Sequence, residues 1–339
     1  MSNAYTAYAI FLGPLVLVLG IAFAAAIERR RAGAAAEPNF FARNGAPVAT
    51  FLILAVGVWV LMMIVLPQFY MIDFSFHPKL PLAQRGGPND IHTLVNYRYF
   101  LFGSPDDTSH WNTTHLHAFW ITILASVIIT IVNFAICYPL AYYLAQVARP
   151  KIVTRLMLLL VVPYWINEIL RAFAFRVLFG TGGVINGMLI GLNLIREPID
   201  FIGADVALYA GLTYAYVLIM MFPLYNAIES LDRNQVEAAR DLGAPWWRIH
   251  AEIVMPHAKP GIATGATLVF MLCAGALAAP LVLGGPKTLW FTPIVYDRFF
   301  EAFNWPQGAA YALILLVACM AFVLIVMRVF KVTFSEIAR

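Results

Sequence analysis

Long apolar stretches separated by shorter polar segments dominate this sequence. A membrane-spanning helix needs roughly 20 mostly apolar residues. Seven stretches meet or nearly meet that length: 8–27, 48–72, 118–145, 152–170, 206–228, 262–283 and 308–330. The fourth is the weakest, because Pro163 interrupts it and Glu168 and Arg171 follow closely. The pattern predicts an all-α integral membrane protein, a polytopic helical bundle.

Composition excludes the soluble and disordered classes. Of the 339 residues, 62% are hydrophobic and 12% charged, and the mean hydropathy is +0.78. Average soluble domains are roughly 45–50% apolar and about 25% charged. A soluble chain would expose the surplus and aggregate, and disordered chains are polar. The three cysteines lie in apolar runs and predict neither a disulfide framework nor a zinc site.

The distribution of basic residues predicts the orientation of the chain. Fourteen of the 22 Lys and Arg residues fall in the segments 28–49, 146–155 and 229–261 and at the C-terminal end. Cytoplasmic loops carry the excess of basic residues. The N-terminus is therefore expected outside and the C-terminus inside. No basic region precedes the first stretch, so it is not expected to be a cleaved signal peptide. The net charge of +4 is too small to indicate nucleic-acid binding.

Two loops are long. Residues 73–117 form an external loop that is rich in helix-breaking Pro and Gly. Residues 229–261 form an internal loop, in which 237–242 consists of good helix formers. Gly243 can adopt a positive φ and end that helix, and Pro245 suits the start of a second helix over 244–250. Ile253 to Met255 then lead to Pro256, where the chain is expected to return to the membrane. Such a helical projection suits docking into a groove on a soluble partner.

This internal loop carries a family resemblance. Glu237-Ala238-Ala239, then Gly243, then Ile253 and Pro256 resemble the EAA loop of ATP-binding-cassette (ABC) importer permeases. The resemblance implies that the loop docks on a cytoplasmic ATPase subunit. The residues implied in this coupling are Glu237, Ala238, Ala239, Asp241, Gly243, Ile253 and Pro256. Without that spacing, an ordinary helical connector would be the simpler interpretation.

Two further segments resemble the spermidine/putrescine-type group of these permeases. They are Pro163-Tyr164-Trp165 with Arg171, Leu178, Gly183 and Asn186, and Gly284 to Lys287 followed by Asn304 to Ala310. The resemblance covers about residues 118–330 and implies a type I importer permease with a six-span core. Residues 1–49 are then an extra N-terminal helix and loop, and 50–339 the permease domain.

The resemblance also implies partners and a solute. The expected partners are a dimer of cytoplasmic ATPase subunits that bind ATP and Mg, a second homologous permease subunit and an extracytoplasmic solute-binding protein. The expected solute is small and cationic, similar to a polyamine. Related permeases carry iron, thiamine, sulfate or amino-acid derivatives, and these alternatives stay open.

The sequence itself supplies no energy source and no catalytic group. It contains no GxxxxGK[ST] phosphate-binding loop and no arrangement typical of nucleophilic catalysis, so a transport subunit without a cofactor or metal is expected. A stand-alone secondary transporter would need inverted repeats and buried carboxylates, and an intramembrane enzyme would need paired catalytic groups in its spans. Neither pattern is present. His110, His115 and His117 are interpreted as solvated loop residues rather than zinc ligands.

Polar residues at membrane depth are the candidates for the substrate pathway. Glu168 and Arg171 lie three residues apart on one helical face. They could form a local ion pair, or Glu168 could receive a cationic substrate. Tyr164 and Trp165 could then contribute cation–π contacts. The predicted pathway residues are Tyr164, Trp165, Asn167, Glu168 and Arg171.

Overall fold

The computed structural model describes residues 46–81, 84–104 and 107–333, and the predicted first span and the loop at 28–45 lie outside them. Backbone contacts divide the chain into two compact units, residues 1–77 and 78–339. The described part of the first unit is one continuous helical segment: α1 (Ala46–Val60), a π-helical turn (Leu61–Val65) and α2 (Leu66–Ser75). It matches the span predicted at 48–72. The domain boundary predicted at residue 49 stays a prediction.

Among the described residues of the second unit, helices joined by loops and turns make up the fold. Its longer helices are α4 (Thr113–Tyr142), α8 (Val206–Glu229), α11 (Met255–Ala274) and α14 (Trp305–Phe330). The shorter helices are α3 (Val95–Phe102), α5 (Pro150–Val161), α6 (Glu168–Phe179), α7 (Val184–Gly191), α9 (Arg233–Asp241), α10 (Trp246–Ile249), α12 (Ala278–Leu283) and α13 (Phe291–Phe300). Asparagine side chains begin two of the long helices, because Asn112 and Asn304 each accept a bond from a backbone N–H in the first turn.

The core of this unit is built on α8, which packs against α4 and α11. Met220, Met221, Leu224 and Ile228 of α8 are fully buried. Glycines let α11 approach closely: a Cβ at Gly261 would overlap the carbonyl oxygen of Pro223, and one at Gly265 would lie 2.7 Å from the Sδ of Met220. Helix α14 packs on α11 and α13, and α12 packs on α6.

Helix α4 carries a buried polar row on the face that it turns to the bundle. Thr122 Oγ1, Ser126 Oγ and Thr130 Oγ1 each donate to the carbonyl oxygen four residues earlier on the same helix, at 2.8, 2.7 and 2.7 Å. Asn133 Nδ2 donates to Ile129 O at 3.1 Å. Thr122 Oγ1 also accepts from the N–H of Phe291, which ties α13 to α4. These donors are therefore satisfied inside the fold.

Five helices within the described residues are long and apolar enough to cross a membrane: Val48–Ser75, Thr113–Val147, Glu168–Gly191, Val206–Glu229 and Trp305–Phe330. Four of them match the predicted spans. The fourth predicted span, 152–170, is not one continuous helix, because α5 ends at Val161 and a 3₁₀ turn (Val162–Trp165) follows. The predicted span at 262–283 is divided between α11 and α12 and is not among the five.

Candidate functional site

The first candidate site is a projection formed by residues 229–261. We call the end of the bundle that carries this projection the loop end. Asp232 begins α9 by accepting a bond from the N–H of Asn234 at 3.0 Å. Val236 of α9 is buried in the core, whereas Glu237, Ala238 and Asp241 are exposed. The helix therefore presents Glu237, Ala238 and Asp241 on its exposed face.

A glycine turn follows α9. Gly243 has a φ of 78°, and its N–H donates to Arg240 O at 2.9 Å while Ala244 N–H donates to Ala239 O at 3.0 Å. This is the left-handed helix end that the sequence predicted for Gly243. An ideal Cβ at Gly243 would meet nothing within 4 Å. The position therefore needs glycine for its backbone angle and not for space within the chain.

The tip of the projection is apolar, which the sequence analysis missed. The side chain of Leu242 is 88% exposed and that of Trp246 is 74% exposed. Trp247 is exposed as well. The tryptophan pair in a charged loop was the signal that could have identified this face. Tryptophan is enriched in protein-binding surfaces.

Beyond the turn, the structure corrects the predicted path of the chain. Pro245 is the N-cap of α10, and α10, a π-helical turn (His250–Val254) and α11 follow one another without a break. Pro256 is the second residue of α11, which directly follows the π-helical turn. Ile253 packs against the core cluster. Ile253 and Pro256 therefore shape the root of the projection, and Glu237 to Gly243 its tip.

Side-chain hydrogen bonds fasten the projection to neighbouring backbone at the loop end. A π-helical turn (Tyr143–Val147) follows α4. Arg233 donates to Ala145 O at 3.0 Å. Gln146 Nε2 donates to Ile228 O at 2.8 Å and to Leu231 O at 3.2 Å. These bonds link the projection to the ends of α4 and α8.

His250 joins the projection to α4 through an aromatic cluster. Its Nδ1 lies 2.7 Å from the hydroxyl of Tyr138, and its ring centre lies 4.4 Å from that of Tyr142. Burial and the nearby charge of Arg240 lower the pKa of His250 below its ordinary value of 6.5. The imidazole is therefore neutral at pH 7. A cavity of about 400 Å³ opens beside it, between Tyr142 and Trp246.

The second candidate site is the break between α5 and α6. Helix α5 has 12 residues, so it is about 18 Å long. The hydrocarbon core of a bilayer is about 30 Å thick, so a chain that enters at the loop end breaks its helix within membrane depth. Pro163 lies in the 3₁₀ turn, and Asn167 begins α6 by accepting a bond from Ile169 N–H at 2.9 Å. Discontinuous helices of this kind form substrate sites in transporters.

Two of the predicted pathway residues meet at this break. The guanidinium carbon of Arg171 lies 4.6 Å from the centre of the Tyr164 ring. The hydroxyl of Tyr164 donates to the carbonyl oxygen of Ala215 on α8, which fixes the ring. Nε and Nη1 of Arg171 are buried and have no hydrogen-bond partner.

The other predicted pathway residues lie apart from this contact. Glu168 is exposed at the first position of α6 and forms no ion pair with Arg171, so the alternative of a local ion pair is wrong. Trp165 is 87% exposed. Asn167 serves as a helix cap. Tyr214 and Ala279, which face the same small cavity as Glu168 and Arg171, were not predicted.

The histidines at 110, 115 and 117 have unequal environments. His110 and His117 are exposed, as expected, but His115 is buried. The Nδ1 of His115 lies 2.8 Å from the Tyr311 hydroxyl, and its Nε2 lies 3.4 Å from Arg298. The interpretation of His115 as a solvated loop residue is wrong, because both of its ring nitrogens take part in contacts that join α4 to α13 and α14.

Comparisons with known proteins place both candidate sites in one family region. Residues 137–332 match the model of the family "Binding-protein-dependent transport system inner membrane component". The chain is 31% identical over 270 residues to the spermidine/putrescine transport system permease protein PotB of Haemophilus influenzae, covering 78% of this chain and 88% of the relative. It is 30% identical over 277 residues to PotB of Escherichia coli strain K12, covering 82% and 96%.

A solved structure has a similar fold. The crystal structure of a bacterial ABC transporter involved in the import of the acidic polysaccharide alginate contains a chain that matches with a TM-score of 0.64 and 16% identity, covering 86% of this chain and 96% of that chain. At this identity the likeness concerns the fold alone. The helical bundle is therefore that of an importer permease.

Proposed function

We propose that this chain, which belongs to the family of binding-protein-dependent transport system inner membrane components, forms half of the translocation pathway of an ABC importer for a small cationic solute of the polyamine type. Its relatives named above are permeases of spermidine/putrescine transport systems. The exposed Glu168 and the Tyr164 ring at the helix break supply the two kinds of group that attract an ammonium ion.

The observation that carries the coupling part of this proposal is the rigidly mounted projection with its apolar tip. Leu242 stands out from the turn at Gly243, while Arg233, Gln146 and His250 hold the root on the bundle. The tip inserts into a cytoplasmic ATPase subunit, which binds ATP and Mg in place of this chain. Closure of two such subunits on ATP moves the projection and, through its root, α4 and α8, so that the pathway changes its access.

The proposed assembly also fixes an orientation. The loop end faces the cytoplasm, with the C-terminus on the same side and the N-terminus outside. A second homologous permease supplies the other half of the pathway, and a solute-binding protein delivers the solute to the loops opposite the loop end.

ATP-dependent uptake of labelled spermidine or putrescine tests this function. The chain is reconstituted in liposomes with its ATPase and second permease, and the binding protein is added outside. Leu242→Asp should abolish ATPase binding and uptake while the chain remains folded, because the side chain has almost no contacts to lose. Leu194→Asp is the matched control for ATPase binding, since Leu194 is 67% exposed in the loop that precedes α8, at the opposite end of that helix from the projection.

Two results would contradict the proposal in separable ways. Full ATPase binding by Leu242→Asp would refute the docking surface. Uptake of iron, thiamine, sulfate or an amino-acid derivative with no uptake of either polyamine would refute the solute class and leave the coupling intact.

A further inference from the structure

Arg171 is a half-buried cation with incomplete pairing. Its Nε and Nη1 are buried without an acceptor, and no ion pair links it to Glu168, the acidic residue one turn earlier on α6. Burying guanidinium nitrogen atoms without an acceptor is costly, and an ionisable residue at membrane depth indicates a functional pathway. The unfavourable position of Arg171 therefore indicates that the residue has a functional role.

The partner that Arg171 does have is an aromatic face. Its guanidinium carbon lies 4.6 Å from the centre of the Tyr164 ring, and the bond from Tyr164 to Ala215 O holds that ring against α8. The face of an aromatic ring attracts any cation, whether a guanidinium or an alkylammonium group. Arg171 thus occupies the kind of receptor that an ammonium substrate would use.

A second partner lies within reach of Arg171 and is not engaged by it. Residues three apart on a helix are neighbours, so a change of side-chain rotamer can bring Arg171 to Glu168 without moving the backbone. Such a pair would be neutral and would leave the Tyr164 ring vacant. In the second arrangement the ring is therefore free to hold another cation.

We propose that Arg171 is a tethered cation that occupies the Tyr164 ring between transport cycles, and that an ammonium group of the substrate displaces it towards Glu168. The proposal rests on the proposed function, because it takes the solute to be cationic. While Arg171 holds the ring, its fixed positive charge repels small inorganic cations and keeps the pathway closed to them. Displacement removes that barrier only when a substrate ammonium replaces it.

Passive K⁺ efflux tests the barrier without using the substrate. The chain is reconstituted in K⁺-loaded liposomes with its ATPase and second permease, in the absence of ATP. Arg171→Gln should raise K⁺ efflux at least tenfold, and Arg171→Lys should restore most of the barrier. Arg176→Gln should behave as wild type, since Arg176 lies on the same helix and donates to Val282 O. Equal efflux from Arg171→Gln and wild type, or equal leakage from Arg176→Gln, would overturn the proposal.

The shared use of the ring is tested by adding putrescine to the leaking variant. Putrescine should reduce K⁺ efflux through Arg171→Gln several-fold, because its ammonium group takes the vacant ring, and should not affect Tyr164→Leu. Tyr164→Phe, which keeps the ring, should remain tight to K⁺. The absence of any putrescine effect on Arg171→Gln would refute the shared site.

Failure of the proposed transport function and failure of the proposed role of Arg171 would give different results. If the proposed function is wrong, the wild-type complex takes up neither polyamine, whereas the comparison of K⁺ efflux still stands. Should Arg171→Gln fail to assemble with its partners on size-exclusion chromatography, Tyr164→Leu becomes the test, since it also deprives Arg171 of its ring. Assembled Tyr164→Leu with wild-type K⁺ efflux would then overturn the proposal.

Discussion

Gly243 offers a sharp test of the docking surface, because its substitution separates backbone strain from steric contact. Its φ of 78° lies in the left-handed region, where a residue with a Cβ pays about 1–2 kcal/mol. An ideal Cβ at this position would meet no atom of the chain within 4 Å. Alanine at this position therefore strains the turn without disturbing the packing of the bundle.

The strain converts into a measurable loss of affinity. A cost of about 1–2 kcal/mol lowers the population of the native turn by about 5- to 30-fold relative to other turn conformations. If the ATPase binds only the native turn, its apparent affinity falls by up to that factor. Gly243→Ala should therefore weaken ATPase binding by about tenfold and leave thermal unfolding of the bundle nearly unchanged. Gly182→Ala is the control, since Gly182 also has open space for a Cβ but an ordinary φ.

The assay is a binding titration of the purified ATPase against the chain in nanodiscs, with a thermal melt of each variant. Gly243→Asn distinguishes backbone strain from steric contact with the ATPase, because asparagine tolerates a positive φ. Near-normal binding by Asn with weak binding by Ala would assign the effect to strain. Equal losses would show that the ATPase itself approaches the Gly243 Cα. Wild-type affinity of Gly243→Ala would refute the reasoning.

Three other substitutions address the root of the projection and the bundle. Because the pKa of His250 lies below 6.5, its imidazole takes up a proton more readily when the loop is released from α4 than when it is packed against α4. The packing of this loop on α4 is therefore complete above about pH 6.5 and weakens below it. Hydrogen exchange of residues 233–250 should show this pH dependence, and His250→Asn should remove it. Gly261→Ala should destabilise the bundle by about 1–3 kcal/mol in thermal unfolding, whereas Gly187→Ala, which has open space in α7, should not. Asn186→Ala should cost about 1–3 kcal/mol, because it removes the bonds from a buried amide to Gly180 O and Ile199 O and leaves the N–H of Ile199 without its side-chain acceptor; an unchanged melting temperature would contradict this.

The sequence predicted the uninterrupted helices well and the broken one poorly. The spans predicted at 206–228 and 308–330 agree with α8 and α14 to within three residues, because a continuous apolar run has no competing signal. Near Pro163, the apolar run crosses a helix end. The asparagine that begins α6 and the charged residues of its first turn made the segment after residue 167 look too polar to span a membrane. Composition alone therefore predicted a span at 152–170, whereas the long apolar helix is Glu168–Gly191.

The turn at Gly243 was predictable, and the contacts at its root were not. A glycine between two short helical runs is a local signal, and local rules suffice for its conformation. Tyr138 and His250 are 112 positions apart in sequence, so only the packing of α4 beside α11 brings them together. The same holds for Arg171, whose unpaired state depends on the orientation of α6 against α8.

The polar row on α4 bears on how the protein is made. The hydroxyl donors of Thr122, Ser126 and Thr130 are satisfied by carbonyl oxygens of α4 itself, so they need no other helix. In lipid, an unsatisfied donor costs several kcal/mol. The nascent α4 can therefore leave the translocon and wait in the bilayer until α8 and α11 have been synthesised, and assembly of the bundle becomes a step separate from insertion.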